Sequence, residues 1–237
     1  TFHFYHSCGI IFCMSTPIEI PRLTGTAIPL GALKTKQSCG IGEYPDLVAF
    51  ASFCKQAGLS LIQLLPVNDT GTESSPYSAL SAFALHPIYM SIESLPEYKA
   101  ASSGIKKAVK ALHEAYDDAP RFNYSKLRYA KRNVLKQLYE ENKAAIQVLW
   151  NDEVSDFRSW FTKNPWVVEY AVFLELKWKF MEASWRQWPK KYSSMKQDKI
   201  LARWEEPELK EAHLFHVWLQ WRAFEQFQQA ALAVQEK

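Results

Sequence analysis

At residues 59–67 the chain reads LSLIQLLPV, an apolar run that Pro66 closes. A run of this length and composition is typical of a strand buried on both faces of a parallel sheet. A shorter apolar run, TAIPL at residues 26–30, predicts an earlier strand. With a helix between them, the two strands form one right-handed βαβ unit over residues 26–67.

The intervening helix has a clear start, apolar face and end. Pro45 suits the first helical position, and the Asp46 carboxylate suits the positive end of the helix dipole. Gly58 is placed to end the helix. The predicted buried stripe recurs every three or four residues and consists of Leu47, Phe50, Ala51, Cys54 and Ala57.

The polar loop NDTGTESSPY, residues 68–77, follows the second strand. Ligands of parallel α/β proteins bind at the carboxyl ends of strands, so this loop is the leading candidate site. Tyr77, restrained by Pro76 and next to Ser75, can stack on a flat ligand face such as a sugar ring. The alternative is that Tyr77 caps the core.

Acidic side chains in the same loop allow a second hypothesis. Glycosidic-bond chemistry needs two carboxylates about 5–5.5 Å apart for retention, or further apart for inversion. Asp69 and Glu73 could form that pair, but acidic loop residues are more often simply solvated. Asn68 is a further polar candidate at the start of the loop.

The second part of the chain is helical by pattern. Residues 87–92 predict a short extended segment, and after Leu95 apolar residues recur at helical spacing. The stripes predict helices over residues 105–112, 127–149, 166–181 and, opened by Pro207, 209–230. All nine tryptophans lie between Trp150 and Trp221; at this spacing we interpret them as core rather than as sugar platforms.

Composition and charge exclude several classes of protein. The 237 residues are 48% hydrophobic and 22% charged, which excludes disordered and low-complexity chains. The net charge of +3 is too small to indicate nucleic acid or an anionic membrane as partner. Residues 1–100 carry 5 basic and 7 acidic side chains, and residues 101–237 carry 23 and 18. We interpret the basic excess as solvated helix faces.

The cysteines and the beginning of the chain favour a cytoplasmic protein. Cys8, Cys13, Cys39 and Cys54 form no CxxC pair and read as reduced thiols. The apolar run at residues 8–14 is too short for a membrane span and has no signal-peptide flanks. We expect residues 1–13 to precede the natural start.

Two weaker motifs do not reach a functional pattern. Gly40-Ile41-Gly42 is half of a dinucleotide fingerprint, without the third glycine or the downstream acidic residue. His213 and His216 are three residues apart on a predicted helix, but no further ligands stand at suitable spacing for a metal. We therefore expect neither a cofactor nor a metal.

The length leaves two architectures open. A (β/α)8 barrel takes about 250 residues and eight strands. This chain has nearly that length but offers two good strands, so it is either a small α/β unit with a large helical lobe or the front end of a larger protein.

Four blocks of sequence resemble the N-terminal end of the 4-alpha-glucanotransferases, the amylomaltase or disproportionating-enzyme family. In order, they are LTGTAIPL at 23–30, SCGIGEYPDL at 38–47, LIQLLPVNDTG at 61–71 and SSPYSALSAFA at 74–84. The last predicted helix, with WLQWR at 218–222, looks like the helix before the third barrel strand of that family.

The resemblance implies an α/β fold: the N-terminal part of a (β/α)8 TIM barrel, incomplete, with a large helical insertion. It divides the chain into an N-terminal extension at 1–21, in part unstructured, the first βα units at 22–92, the insertion at 93–205, and a helix returning to the barrel at 206–237.

The resemblance also implies an activity, the retaining transfer of α-1,4-glucan segments between malto-oligosaccharides or glucans. Tyr77 would line the donor subsite with Ser75 beside it, and Asn68 and Asp69 are further substrate-binding candidates. The family's catalytic carboxylates stand on later strands, so we expect them beyond Lys237 and expect this chain alone to be inactive. The alternative is a non-catalytic helical module that binds glucan or a protein partner.

Overall fold

The computed structural model describes residues 22–119 and 122–236. The predicted N-terminal extension at 1–21, with Cys8 and Cys13, lies outside these residues. Two strands, β1 and β2, span Gly25–Ile28 and Leu61–Leu64. The α-helices α1 to α9 span, in order, Asp46–Gln56, Pro96–Lys99, Ser103–Tyr116, Tyr124–Asn151, Asp156–Lys163, Trp166–Lys179, Lys190–Ser193, Gln197–Trp204 and Lys210–Gln235.

The predicted βαβ unit is confirmed. β1 and β2 pair in parallel, with Gly25 opposite Leu61 and Ile28 opposite Leu64, and α1 connects them. A Cβ atom on Gly25 would lie 2.5 Å from the Leu61 carbonyl oxygen, so only glycine allows this approach. Gly58 ends the turn after α1 with a φ of +74°, as its predicted position required.

The prediction that β2 is buried on both faces was wrong. Exposed and half-buried residues alternate along it, and Leu61 is 40% exposed. In the part of the chain that the structure describes, β1 is the only strand paired with β2. Burial of a strand on both faces needs neighbouring strands and covering helices that these residues supply only in part.

The prediction of an extended segment at 87–92 was also wrong, for the first half of that segment. Pro87–Tyr89 forms a short 3-10 helix, and the His86 ring nitrogen Nδ1 accepts from the backbone N–H of Ile88 at 3.2 Å. Proline at the first position and a side-chain acceptor before it both favour a helical turn. Local capping therefore outweighed the strand-like composition of the segment.

The core is built around α9. Residues 213–223 are buried without interruption, whereas Ala212, which also lies within the helix predicted over residues 209–230, is exposed. α9 packs against α1, α5 and α6, so it has neighbours on several sides and no single apolar face. It begins at Lys210, after a 3-10 turn at Pro207–Leu209.

The interpretation of basic residues as solvated was wrong for several of them. The Lys131 ammonium donates to Glu43 at 2.6 Å, with both side chains almost fully buried. Arg222 donates to Glu97 at 2.7 Å, also in the interior. Burial raises the pKa of Glu43, and the Lys131 charge opposes that rise.

The interpretation of the tryptophans as core holds for most of them. Trp218 is fully buried and its indole N–H donates to Glu97 at 2.9 Å. Trp221 stacks on Phe157 with ring centroids 4.4 Å apart. Trp185, 49% exposed, is an exception.

Two glutamines of α9 hold the segment that leads from the loop after β2 to the helices. The Gln220 amide accepts from the backbone N–H of Leu85 and donates to its carbonyl, both at 2.8 Å. Gln226 makes the same pair of bonds with Ser91, at 2.9 and 2.8 Å. A side-chain amide that bonds both backbone groups of one residue satisfies them as a neighbouring strand would.

Across the described residues, no helix is both long enough and apolar enough to cross a membrane.

Candidate functional site

The loop after β2 is closed at its base by backbone hydrogen bonds. The N–H of Asp69 donates to the Ala84 carbonyl at 2.9 Å, and that of Leu80 donates to the Asp69 carbonyl at 2.7 Å. Asn68 pairs with Leu85 as an isolated antiparallel bridge, and its side-chain amide donates to the Ala82 carbonyl at 3.0 Å. Residues 69–80 therefore form a closed loop with a fixed base.

Gly71 gives the loop its first turn. Its φ is +58°, and a Cβ atom there would lie 2.7 Å from the Leu80 side chain. Both the left-handed backbone and the close approach favour glycine at this position.

Asp69 lies beneath the loop and is 6% exposed. One carboxylate oxygen accepts from the Tyr170 hydroxyl at 2.5 Å, and the other accepts from the Gly71 N–H at 2.9 Å. His86 Nε2 lies 3.8 Å from the same carboxylate. Asp69 is therefore neither solvated nor directed at solvent, and it links the loop to α6.

Tyr124, at the start of α4, is the second support of the loop. Its hydroxyl donates to the Gly71 carbonyl at 2.8 Å and lies 2.9 Å from the Thr70 hydroxyl. His86 Nε2 lies 2.6 Å from the same hydroxyl oxygen. Burial raises the pKa of Tyr124 to about 12, which keeps the phenol protonated and able to donate at neutral pH.

His86 is a neutral group in this network. Burial lowers its pKa to about 4, against a smaller raising effect of Asp69. Because Nδ1 accepts from Ile88, the neutral ring carries its proton on Nε2 and donates it to the Tyr124 oxygen. The donors and acceptors are thus assigned along the whole chain of hydrogen bonds. The Ile88 N–H donates to His86, His86 donates to Tyr124, and Tyr124 donates to the Gly71 carbonyl.

The tip of the loop presents Tyr77 to solvent. Tyr77 is 73% exposed, so it does not cap the core. Ser75 is exposed as well, and its carbonyl accepts from the Ser78 N–H at 3.1 Å, which closes a tight turn over Pro76 and Tyr77. Glu73 is exposed and its backbone carbonyl accepts from the Thr70 hydroxyl. An exposed aromatic ring on a fixed turn can stack on a ligand with little ordering of the loop.

The structure thus separates the residues that the sequence predicted for one site. Tyr77 and Ser75 lie at the exposed tip, whereas Asn68 and Asp69 form the base. Sequence reasoning missed the supports Tyr124, Tyr170 and His86. Tyr170 is 101 residues from its partner Asp69 in the chain, and no spacing pattern reveals such a pair.

The weaker motifs take structural positions. The N–H of Gly40 donates to an Asp117 carboxylate oxygen at 2.8 Å. His213 is fully buried and stacks on Trp204, with ring centroids 5.3 Å apart. His216 is 4% exposed and lines a cavity that Asp69, Gly71 and His86 also border.

One group of potential metal ligands occurs among the described residues. Ligand atoms of Cys39, His113 and Asp117 lie within 4.8 Å of one another. His113 and Asp117 already bond each other at 2.7 Å, and burial raises the pKa of the Cys39 thiol to about 12.

A family model described as 4-alpha-glucanotransferase matches residues 28–237. The chain belongs to the 4-alpha-glucanotransferase family. It is 34% identical over 206 residues to a 4-alpha-glucanotransferase of Chlamydia caviae, covering 86% of this chain and 37% of that protein. The chain thus spans little more than a third of the length of the curated relatives that it matches first.

Solved amylomaltases share the fold. The Corynebacterium glutamicum enzyme superimposes with a TM-score of 0.69 at 18% identity, over 90% of this chain and 28% of that one. The Streptococcus agalactiae enzyme, solved in complex with acarbose, gives 0.70 at 18% identity, over 91% and 41%. These structures show the fold alone, whereas the family model and the curated relatives show 4-alpha-glucanotransferase membership and do not favour the alternative of a non-catalytic module.

Proposed function

We propose that this chain supplies part of the donor-glucan site of a 4-alpha-glucanotransferase. The whole enzyme would transfer α-1,4-glucan segments between malto-oligosaccharides or glucans by a retaining double displacement. The observation that carries the proposal is Tyr77, 73% exposed on a loop fixed at the carboxyl end of β2. The acarbose complex of the Streptococcus agalactiae amylomaltase supports a malto-oligosaccharide as the ligand.

Within that site the loop residues have different roles. Tyr77 stacks on a glucose ring, and Ser75 hydrogen-bonds a sugar hydroxyl beside it. Asn68 and Asp69 position the loop for glucan binding. Their side chains hydrogen-bond Ala82, Gly71 and Tyr170 within the protein.

The catalytic carboxylates come from outside this chain. A retaining transfer needs a nucleophile and an acid on opposite sides of one bond. Asp69 is occupied by two internal donors, and Glu73 is an exposed residue on the loop. We therefore expect the chain alone to be inactive, with the reacting groups on further strands.

The chain also divides into parts of a barrel and an insertion. β1 and β2 are the first strands of a (β/α)8 barrel, residues 93–205 a helical insertion, and residues 206–237 the helix that returns to the barrel. The fold shared with solved amylomaltases supports this assignment. We place the protein in the cytoplasm, with Cys39 and Cys54 as free thiols.

The test is Tyr77→Ala in the full-length gene product. We expect glucan transfer from maltotriose to fall by up to about tenfold through weaker donor binding, since an aromatic contact contributes about 0.5–1.5 kcal/mol beyond its area. Phe53→Ala is the matched control, because Phe53 is also an exposed aromatic, 60% exposed on α1. An unchanged rate in Tyr77→Ala would remove Tyr77 from the site.

A second assay addresses the chain by itself. The purified 237-residue chain, incubated with maltotriose, should form neither glucose nor longer glucans. Formation of both by a folded, monomeric chain would contradict the assignment of the carboxylates and return Asp69 or Glu73 to the catalytic role.

A further inference from the structure

A cavity of about 50 Å³ lies between α4, α6 and α9 and is bordered by the loop residues Asp69 and Gly71. One water needs about 10–15 Å³ of such a volume, so the cavity has room for roughly three to five waters or one tetrahedral oxoanion. Its walls are rich in cationic side chains, a composition that differs from the apolar core around it.

Cations outnumber anions around the cavity. Its lining includes four basic side chains, Arg128, Lys131, Arg132 and Lys177. The acidic side chains in the lining are Asp69 and Glu182. Even with Glu43, which lies against Lys131, one positive charge remains in excess.

Three of the four cations are held by internal partners. Lys131 donates to Glu43 at 2.6 Å. Arg128 donates to both carboxylate oxygens of Glu182 at 2.6 Å. Lys177 donates to the backbone carbonyl of Glu182 at 2.6 Å.

Arg132 is different. Its guanidinium stacks 3.6 Å from the centre of the Trp178 ring and 5.4 Å from that of Phe215, and it forms no hydrogen bond or ion pair with any residue that the structure describes. Burial and the neighbouring Arg128 charge lower its pKa to about 10, so it remains charged at neutral pH. A guanidinium has five N–H donors, and its aromatic neighbours satisfy none of them as an acceptor would.

Two buried polar atoms, both on residues that line the cavity, lack partners. His216 Nδ1 and Arg128 Nε are buried without a hydrogen-bond partner among the described residues. His216 is 4% exposed, and a neutral imidazole donates one N–H, from Nδ1 in one of its tautomers. Buried polar groups are nearly always hydrogen-bonded, so these two unpartnered atoms, beside the partly buried and unpaired guanidinium of Arg132, indicate a bound acceptor in a positive cavity.

We propose that this cavity binds a free tetrahedral oxoanion, phosphate or sulfate, held by Arg132 and His216. The planar guanidinium fork matches oxoanion geometry, and a charge-assisted bond in a buried site is among the stronger hydrogen bonds. The site is separate from the exposed ring of Tyr77 and makes no use of the proposed glucan transfer.

The experiment titrates inorganic phosphate into the purified chain at constant ionic strength, followed by calorimetry and by the ring resonances of His216. We expect saturable binding with a shift of the His216 resonances, and binding weakened about tenfold or more in Arg132→Gln, which loses a charged donor. Arg186→Gln is the matched control, because Arg186 is an exposed arginine whose guanidinium also lies over a tryptophan, 5.6 Å from the Trp185 ring.

Several results would overturn the assignment. Phosphate is added to about 20 mM, a concentration at which binding with millimolar affinity is detected. If the His216 resonances do not shift, the site is excluded, and this result does not depend on whether Arg132→Gln folds. Equal weakening in Arg186→Gln would indicate nonspecific surface binding. Glucose 1-phosphate that binds as tightly as phosphate would contradict a cavity sized for the free oxoanion.

Discussion

The two-stranded sheet and the helical part of this chain differ in how deeply their residues are buried. β2 alternates between exposed and half-buried residues, and its Leu61 is 40% exposed. On the helical side, residues 213–223 of α9 are buried without interruption, and ion pairs such as Lys131–Glu43 lie in the interior. The strands therefore contribute little buried area among the described residues, and the helices contribute most of the core.

The candidate site combines the two. The loop that carries Tyr77 follows a strand, but its supports Tyr124 and Tyr170 come from α4 and α6. Because the base of the loop is buried and its tip is exposed, we expect substitutions beneath the loop to change stability. Substitutions at the tip should change ligand binding alone.

The largest expected effect is on the helical side. Lys131→Met leaves the Glu43 carboxylate buried without its partner, and we expect a loss of about 3–5 kcal/mol in the free energy of unfolding by urea denaturation. The exposed pair Lys110–Glu114, at 3.5 Å, is the control, and Lys110→Met should lose about 0–1 kcal/mol. Adding Glu43→Gln to Lys131→Met should restore part of the loss. Equal losses in the two single variants would contradict the contrast between buried and exposed pairs.

The next effect depends on pH. Because the folded pKa of His86 is about 4 and its ordinary value is 6.5, the unfolded chain binds a proton there first. The contribution of His86 to stability is complete above pH 6.5 and is lost as the pH falls toward about 4, by up to about 3 kcal/mol. Urea midpoints measured across this range should fall less steeply in His86→Gln. Parallel pH profiles of the two proteins would show that His86 is not buried as a neutral ring.

A smaller effect is expected for Tyr170→Phe. The Asp69 carboxylate would lose its donor at 2.5 Å, and leaving a buried acceptor unpaired costs about 1–3 kcal/mol. The backbone amides of Gly71 and Leu80 should then exchange hydrogen faster. Tyr129→Phe, at a 52% exposed position, is the control and should leave both measurements unchanged. Unaltered exchange in Tyr170→Phe would mean that the loop does not depend on α6.

The smallest effect on stability is expected at the tip. Tyr77→Ala should change the free energy of unfolding by no more than about 0.5 kcal/mol, since the side chain is 73% exposed. The same variant should weaken glucan transfer in the full-length gene product, as proposed above. A clear loss of stability would show that Tyr77 packs against the fold and would remove the distinction between tip and base.

Local sequence signals predicted the secondary structure where they were sufficient. Pro45, Asp46 and Gly58 mark the ends of α1, and the apolar runs mark β1 and β2. The helix α5, Asp156–Lys163, was missed although the Ser155 hydroxyl caps it by accepting from the Arg158 N–H at 3.0 Å. Its short apolar pattern is too brief for periodicity to be decisive, and the capping serine was the available signal.

The candidate site was predicted in part. The loop and the exposed Tyr77 follow from position in the chain, because a polar segment after a parallel strand lies at the ligand-binding edge. The role of Asp69 could not be predicted, since it depends on Tyr170, which is distant in sequence. A carboxylate in a polar loop gives no sign of whether a later helix will cover it.

The sequence alone determined the βαβ unit, the helical second part, the family resemblance and the loop that carries Tyr77, because caps, periodicity and motifs act over a few residues. Only the tertiary structure decided which charges are buried and which hydroxyls support the loop. Burial and hydrogen bonding depend on side chains far apart in the chain, such as Lys131 and Glu43 or Arg132 and Trp178. The energy of a charge depends on how much water those neighbours exclude, and the local sequence does not specify that.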